Sequence, residues 1–242
     1  MKPARHYEQV VRRLDQLMAA PQAQVDPSWH AALLSDLGDV AEAADLHLML
    51  PDVERLGFGT RLGLAVFQQV CGEAPDVTDL DELPGRWCLL AREDRLARLA
   101  ALALAATPGA LRSCVRRGPR QALEAVLGPA YGPLVDLGAG ATAAPPEVAE
   151  RPPAEWALEA YQALRRAGHW RDRALRRWVR LGLPRTVASA GALPALRTDG
   201  RVLAPGPVNA HGSERAWASR PSRAAAQTFV SHLPMVDAWF QT

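Results

Sequence analysis

Isoleucine is missing from this chain of 242 residues, and lysine and asparagine occur once each, as Lys2 and Asn209. Without isoleucine, the strand-favouring β-branched residues reduce to Val and Thr. Ala, Leu, Arg and Glu dominate instead, and these favour helix. Nearly all positive charge is therefore arginine, as a GC-rich coding genome would produce with no functional demand for guanidinium. Cysteine is sparse as well. Cys71, Cys88 and Cys114 are odd in number and lack close paired spacing, which argues for reduced, buried thiols and against a disulfide framework or zinc site. Long apolar runs are absent: the longest, Leu99 to Ala106 (LAALALAA), falls far below the roughly 20 residues that span a bilayer. The opening MKPARHYEQVVRRLDQL has no apolar core of signal-peptide length, so the expected location is the cytoplasm, without direct membrane insertion. Strong net charge is lacking too. A formal +2 calls for no polyanionic partner, while 48% hydrophobic residues exclude disorder of the whole chain.

No stretch alternates apolar and polar residues for long enough to build a large sheet. The 3.6-residue period is what remains. Residues 4–19 place Tyr7, Val10, Val11, Leu14, Leu17 and Met18 on one helical stripe. Asp26-Pro27 has the form of an N-cap followed by proline at the first helical position, opening a helix that stops at Gly38. Short helices fit 39–49 and 60–71, followed by an acidic loop, GEAPDVTDLDELPG. The strongest helix runs from Arg92 to Ala106 and is ended by Pro108. Three short pieces follow, at 109–117, 119–127 and 129–137, punctuated by Gly118-Pro119 and Gly128-Pro129. Residues 138–153, GAGATAAPPEVAERPP, have linker composition. A helical hairpin is expected from 154, as AEWALEAYQALRRAG and HWRDRALRRWVRLG. Ten Gly and Pro residues then fall within 182–221, and helix returns only at 222–233. The expected fold is all-α: an irregular bundle of short helices with a Gly/Pro-rich C-terminal tail. Its parts are a helical region at 1–137, a linker at 138–153, and a hairpin plus tail at 154–242, packed with the first region as one domain.

Charge is unevenly spread. Between residues 36 and 82, eleven acids face Arg55 and Arg61, net −9. Residues 86–120 carry eight arginines against Glu93 and Asp94, and residues 151–185 carry nine against Glu155, Glu159 and Asp172, each net +6. Such faces can neutralise one another inside a domain, at roughly 0–1 kcal/mol per exposed pair, or steer a partner. The candidate partner-binding residues are Arg116, Arg117 and Arg120 beside the Gly-Pro break, and Arg173, Arg176, Arg177 and Arg180, which share one face of a late helix.

Catalytic patterns fail on inspection. VDLGAGAT, residues 135–142, resembles the nucleotide-binding turn of methyltransferases, but TAAPPEVAERPP after it cannot form the helix that such a turn requires. A helix end at Gly138 followed by a linker is the simpler reading. The six histidines are scattered, and no nucleophile elbow, phosphate loop or paired-cysteine motif accompanies them. The expectation is a non-enzyme with no cofactor and no metal. Residues 165–193 have the rhythm of a helix-turn-helix, so a DNA-binding or regulatory protein is the alternative. Against it, the recognition stretch TVASAGAL offers no long polar side chain to base edges. Of the seven tryptophans, Trp217 and Trp239 lie in the poorly patterned tail and are the better candidates for partner contacts.

Three segments carry a family likeness: DPSWHAALL at 26–34; RLARLAALALAATPGALRSCVRRGPRQALEAVLGPAYGPLVDLG at 95–138; and EWALEAYQALRRAGHWRDRALRRWVRLGLP at 155–184. Over residues 20–184 the chain resembles the K-type accessory proteins of the bacterial type III secretion sorting platform (the YscK/PscK/SctK family). The resemblance implies a non-enzymatic cytoplasmic adaptor, peripheral to the inner membrane through protein contacts. Its implied partners are the sorting-platform pod protein and the cytoplasmic domain of the inner-membrane ring protein, with no nucleic acid.

Overall fold

The computed structural model describes residues 2–18, 21–29, 80, 82–185 and 223–241, and among them are nine α-helices, short 3-10 turns and no strand. The expected all-α class is therefore observed. The helices predicted at 39–49 and 60–71, and Trp217, lie outside the described residues.

The architecture is organised around one helix. In α2 (Arg92–Ala106), every residue from Leu99 to Ala105 is at most 2% exposed. An α-helix apolar all round must be enclosed, and α2 is enclosed by α4 (Arg117–Leu127), α5 (Tyr131–Leu137), α7 (Pro153–Arg166) and α9 (Arg223–Trp239). Its polar first turn, with Glu93 and Asp94, complements the helix dipole. Its alanines leave room for close approach of α7, whose Ala157, Ala160 and Ala163 are also fully buried. One continuous hydrophobic core extends from Val10 on α1 (Lys2–Met18) to Val236 on α9.

Several boundaries differ from expectation for local reasons. The piece at 109–117 shrinks to one turn, α3 (Ala110–Ser113), and α4 begins at Arg117, so Gly118-Pro119 lies inside its first turn and does not break it. Proline is tolerated there because first-turn amides have no intrahelical acceptor. The linker composition of 138–153 conceals a packed turn of helix, α6 (Pro146–Ala149), which rests on α3 and buries Ala149. In the late hairpin, α8 (Arg173–Leu181) starts only after Asp172, whose side chain accepts from the Leu175 amide at 2.7 Å. The predicted 222–233 helix runs on through Pro234 to Trp239. Ala226, Phe229, Leu233 and Val236 form its buried stripe, Asp237 accepts from Trp87 Nε1 at 2.7 Å, and Trp239 and Phe240 pack on the core. Trp239, expected at a partner surface, is thus a core-edge residue.

Candidate docking surfaces

The early and late segments meet. Pro27 opens a helical turn in which Asp26 Oδ1 accepts from the Ser28 amide at 3.0 Å and from its hydroxyl at 2.5 Å. The Asp26 amide donates to the Leu181 carbonyl at 2.7 Å, and Trp29 Nε1 donates to the Leu183 carbonyl at 2.7 Å. Trp29 is 2% exposed, and the guanidiniums of Arg180 and Arg185 lie 4.9 and 5.9 Å from its ring centroid. Arg92 closes the seam by donating to Asp26 Oδ2 at 2.5 Å and to the Gly182 carbonyl at 3.3 Å. Burial alone would raise the Asp26 carboxyl, but the Ser28 hydrogen bonds and Arg92 outweigh it and hold the group below its ordinary value.

Beneath this seam Arg95 is 2% exposed, its guanidinium 3.5 Å from the carbonyls of Cys88 and Gln24. Burial pushes Arg95 down to about 10 and the Cys88 thiol up to about 12, so near neutrality the first is charged and the second is an inert thiol. A Cβ on Gly182 would sit 2.5 Å from the Arg95 guanidinium and 3.3 Å from the Gln24 carbonyl, so a larger residue in Leu-Gly-Leu-Pro would crowd the buried arginine. Sequence reasoning passed over Arg95. The signal was its position four and seven residues before Leu99 and Leu102, on the stripe that α2 buries.

The seven predicted arginines fall into two groups on different elements. Arg116 precedes α4 and pairs with Glu150 at 3.3 Å, Arg117 is its exposed first residue, and Arg120 Nε donates to the Tyr131 hydroxyl at 3.0 Å. On α8, Leu175, Trp178, Val179 and Leu181 are buried, Arg173 is exposed, and Arg176 and Arg177 are half-buried. Among the described residues, neither the Arg173 nor the Arg176 guanidinium forms an ion pair. Arg180 differs from its neighbours, because its guanidinium donates to the carbonyls of Leu183 (3.2 Å) and Pro184 (2.7 Å) while lying over Trp29. It fastens the seam.

No group of His, Cys, Asp and Glu among the described residues is arranged to hold a metal ion. Cys88 and Cys114 are free and buried; Cys71 lies outside the described residues. In VDLGAGAT, Gly138 follows the last residue of α5, and its φ of −77° shows that no left-handed cap is formed. A Cβ there would lie 2.3 Å from the Pro108 carbonyl, so the glycine serves close backbone packing. No described helix is long and apolar enough to cross a membrane.

A family model described as bacterial type III secretion protein (HrpB4) matches residues 6–204. The chain belongs to that family. The HrpB4 match encloses all three segments on which the type III secretion likeness rests, and its span includes both the Asp26–Trp29 turn and the Leu181–Arg185 strip that receives it. It stops before α9, which nevertheless completes the core around α2. Neither the curated proteins nor the solved structures contain a match to the chain.

Proposed function

We propose that this type III secretion protein is a non-enzymatic adaptor that links the inner-membrane ring to the pods of the sorting platform, as the K-type accessory proteins do. The observation that carries the reading is α8. Its apolar side is buried and the helix packs on the 3-10 turn Gly85–Leu89, while Tyr161 of α7 donates to its Arg176 carbonyl and Arg180 lies over Trp29. The exposed Arg173 and half-buried Arg176 carry no ion pairs among the described residues. A helix held rigidly on one side and basic on the other suits electrostatically steered docking onto an acidic protein surface. Family membership supplies the assembly in which such a surface would act.

The experiment is affinity purification of the tagged chain from its own bacterium, with mass spectrometry of what accompanies it. The expected result is recovery of the pod protein and of the cytoplasmic domain of the inner-membrane ring protein. Recovery of neither, or recovery of chromosomal DNA with no secretion component, overturns the adaptor reading.

A further inference from the structure

An adaptor needs two surfaces, and α8 supplies one. The geometry points to the corner between α3 and α4 as a second, made to receive an acidic segment of a partner protein that also carries aliphatic side chains. The partner's place in the secretion apparatus rests on the adaptor reading; the surface itself rests on separate observations.

Among the described residues three large hydrophobics are exposed, and two of them, Val115 and Leu137, belong to this corner. Val115 is 79% exposed, directly after the buried Cys114 and directly before Arg116. Leu137, 40% exposed, ends α5, which packs on α3. Arg112 ties the two together by donating from α3 to the Ala139 carbonyl at 2.7 Å, just past the end of α5. Around these two residues stand Arg112, Arg116, Arg117 and Arg120. Glu150 pairs with Arg116, Glu124 acts on the charge of Arg120 and Asp136 precedes Leu137, which leaves Arg112 and Arg117 without an ion pair among the described residues. Arg117 is exposed and forms neither hydrogen bond nor ion pair among the described residues. Helix α4 has no acid in its first turn and no side-chain cap, so its positive end adds to the arginine field.

Charge complementarity selects the occupant. Nucleic acid phosphates would match the guanidiniums but leave Val115 and Leu137 without apolar contact. A segment in which acids alternate with aliphatic residues matches both, with the aliphatic contact supplying affinity and the arginines orientation and rate.

The test uses the full chain and fluorescence anisotropy with a labelled peptide that alternates Glu and Leu between Gly-Ser ends. The wild-type protein should bind it saturably, more weakly as salt rises. Val115→Ser and Arg117→Glu should each weaken binding about fivefold or more, with unchanged melting temperature because neither side chain is held internally. Arg173→Glu/Arg176→Glu should leave peptide affinity alone. Replacing the peptide's leucines by serine should weaken it to a similar degree. Equal binding of the serine peptide or of a 20-nucleotide single-stranded DNA, or unaltered binding by the two corner variants, overturns the proposal. So does absence of wild-type binding, and if secretion components still co-purify, the adaptor reading survives alone. The expected peptide pattern without co-purification of ring or pod protein leaves the corner standing and removes the adaptor reading.

Discussion

Asp26 shows how much one side chain can organise. Its backbone amide reaches Leu181, its Oδ1 caps the turn carrying Trp29, and its Oδ2 meets Arg92, 66 positions away. The cap was legible in Asp-Pro-Ser-Trp, because proline after an N-cap residue is a local signal. The pairing with Arg92 was not, since nothing local relates the two positions. The carboxyl is held below its ordinary value in the fold, so its contribution is complete above the unfolded-state value and fades as pH falls through the folded one. Asp26→Asn should therefore destabilise the protein at pH 7 by about 1–3 kcal/mol, the range for breaking a charge-assisted bond and leaving Arg92 half-buried without its carboxylate. Thermal melts from pH 7 downward should show the gap between variant and wild type closing once the pH drops below about 4. A gap independent of pH would mean that the carboxylate charge plays no part.

At the scale of elements, legibility followed the strength of the local pattern. The bounds of α2 could be read directly, since periodicity and Pro punctuation agree there, and the late hairpin could be read as a hairpin although its second helix starts at Arg173 and not at His169. The start of α4, the turn of α6 and the length of α9 could not. Each puts a proline where local rules expect a break, and tertiary packing decides otherwise: α6 buries Ala149, and the last turns of α9 bury Val236 and engage Trp87. The alanines of α2 carry a less obvious message. Ala100, Ala101 and Ala103 are fully buried, and α7 brings Ala157, Ala160 and Ala163 to its own buried side, so small side chains set how closely the two main helices lie. Enlarging one forces displacement of packed neighbours. Ala101→Leu should lower stability by about 1–3 kcal/mol in urea unfolding despite leucine's apolar character and good helix propensity. An unchanged or raised midpoint would show that α2 and α7 are not in close register at that position.

For the whole molecule, the sequence disclosed which arginines share a helix face but not which of them the fold uses internally. Arg180 has the same helical phase as Arg173, Arg176 and Arg177, yet it is drawn under by the Leu183 and Pro184 carbonyls and by Trp29, a residue about 150 positions earlier. Long-range contacts of this kind leave no periodic trace. The distinction sharpens the docking experiment, because charge reversal at Arg180 would damage the seam and confuse lost stability with lost binding. Arg173 and Arg176 avoid this: one is exposed, the other half-buried, and neither has an ion pair among the described residues to lose. Solvated arginines of this sort contribute at most about 1 kcal/mol to folding. Their effect on a charged partner is larger, since reversal replaces attraction by repulsion during approach and lowers the association rate. Arg173→Glu/Arg176→Glu should accordingly melt within a few degrees of wild type while recovering markedly less pod or ring protein, and surface plasmon resonance with the purified partner should place the loss in the association rate at low salt. If instead the variant melts much lower and captures its partners normally, the two arginines neutralise an acidic surface of their own chain, and α8 is part of the scaffold alone.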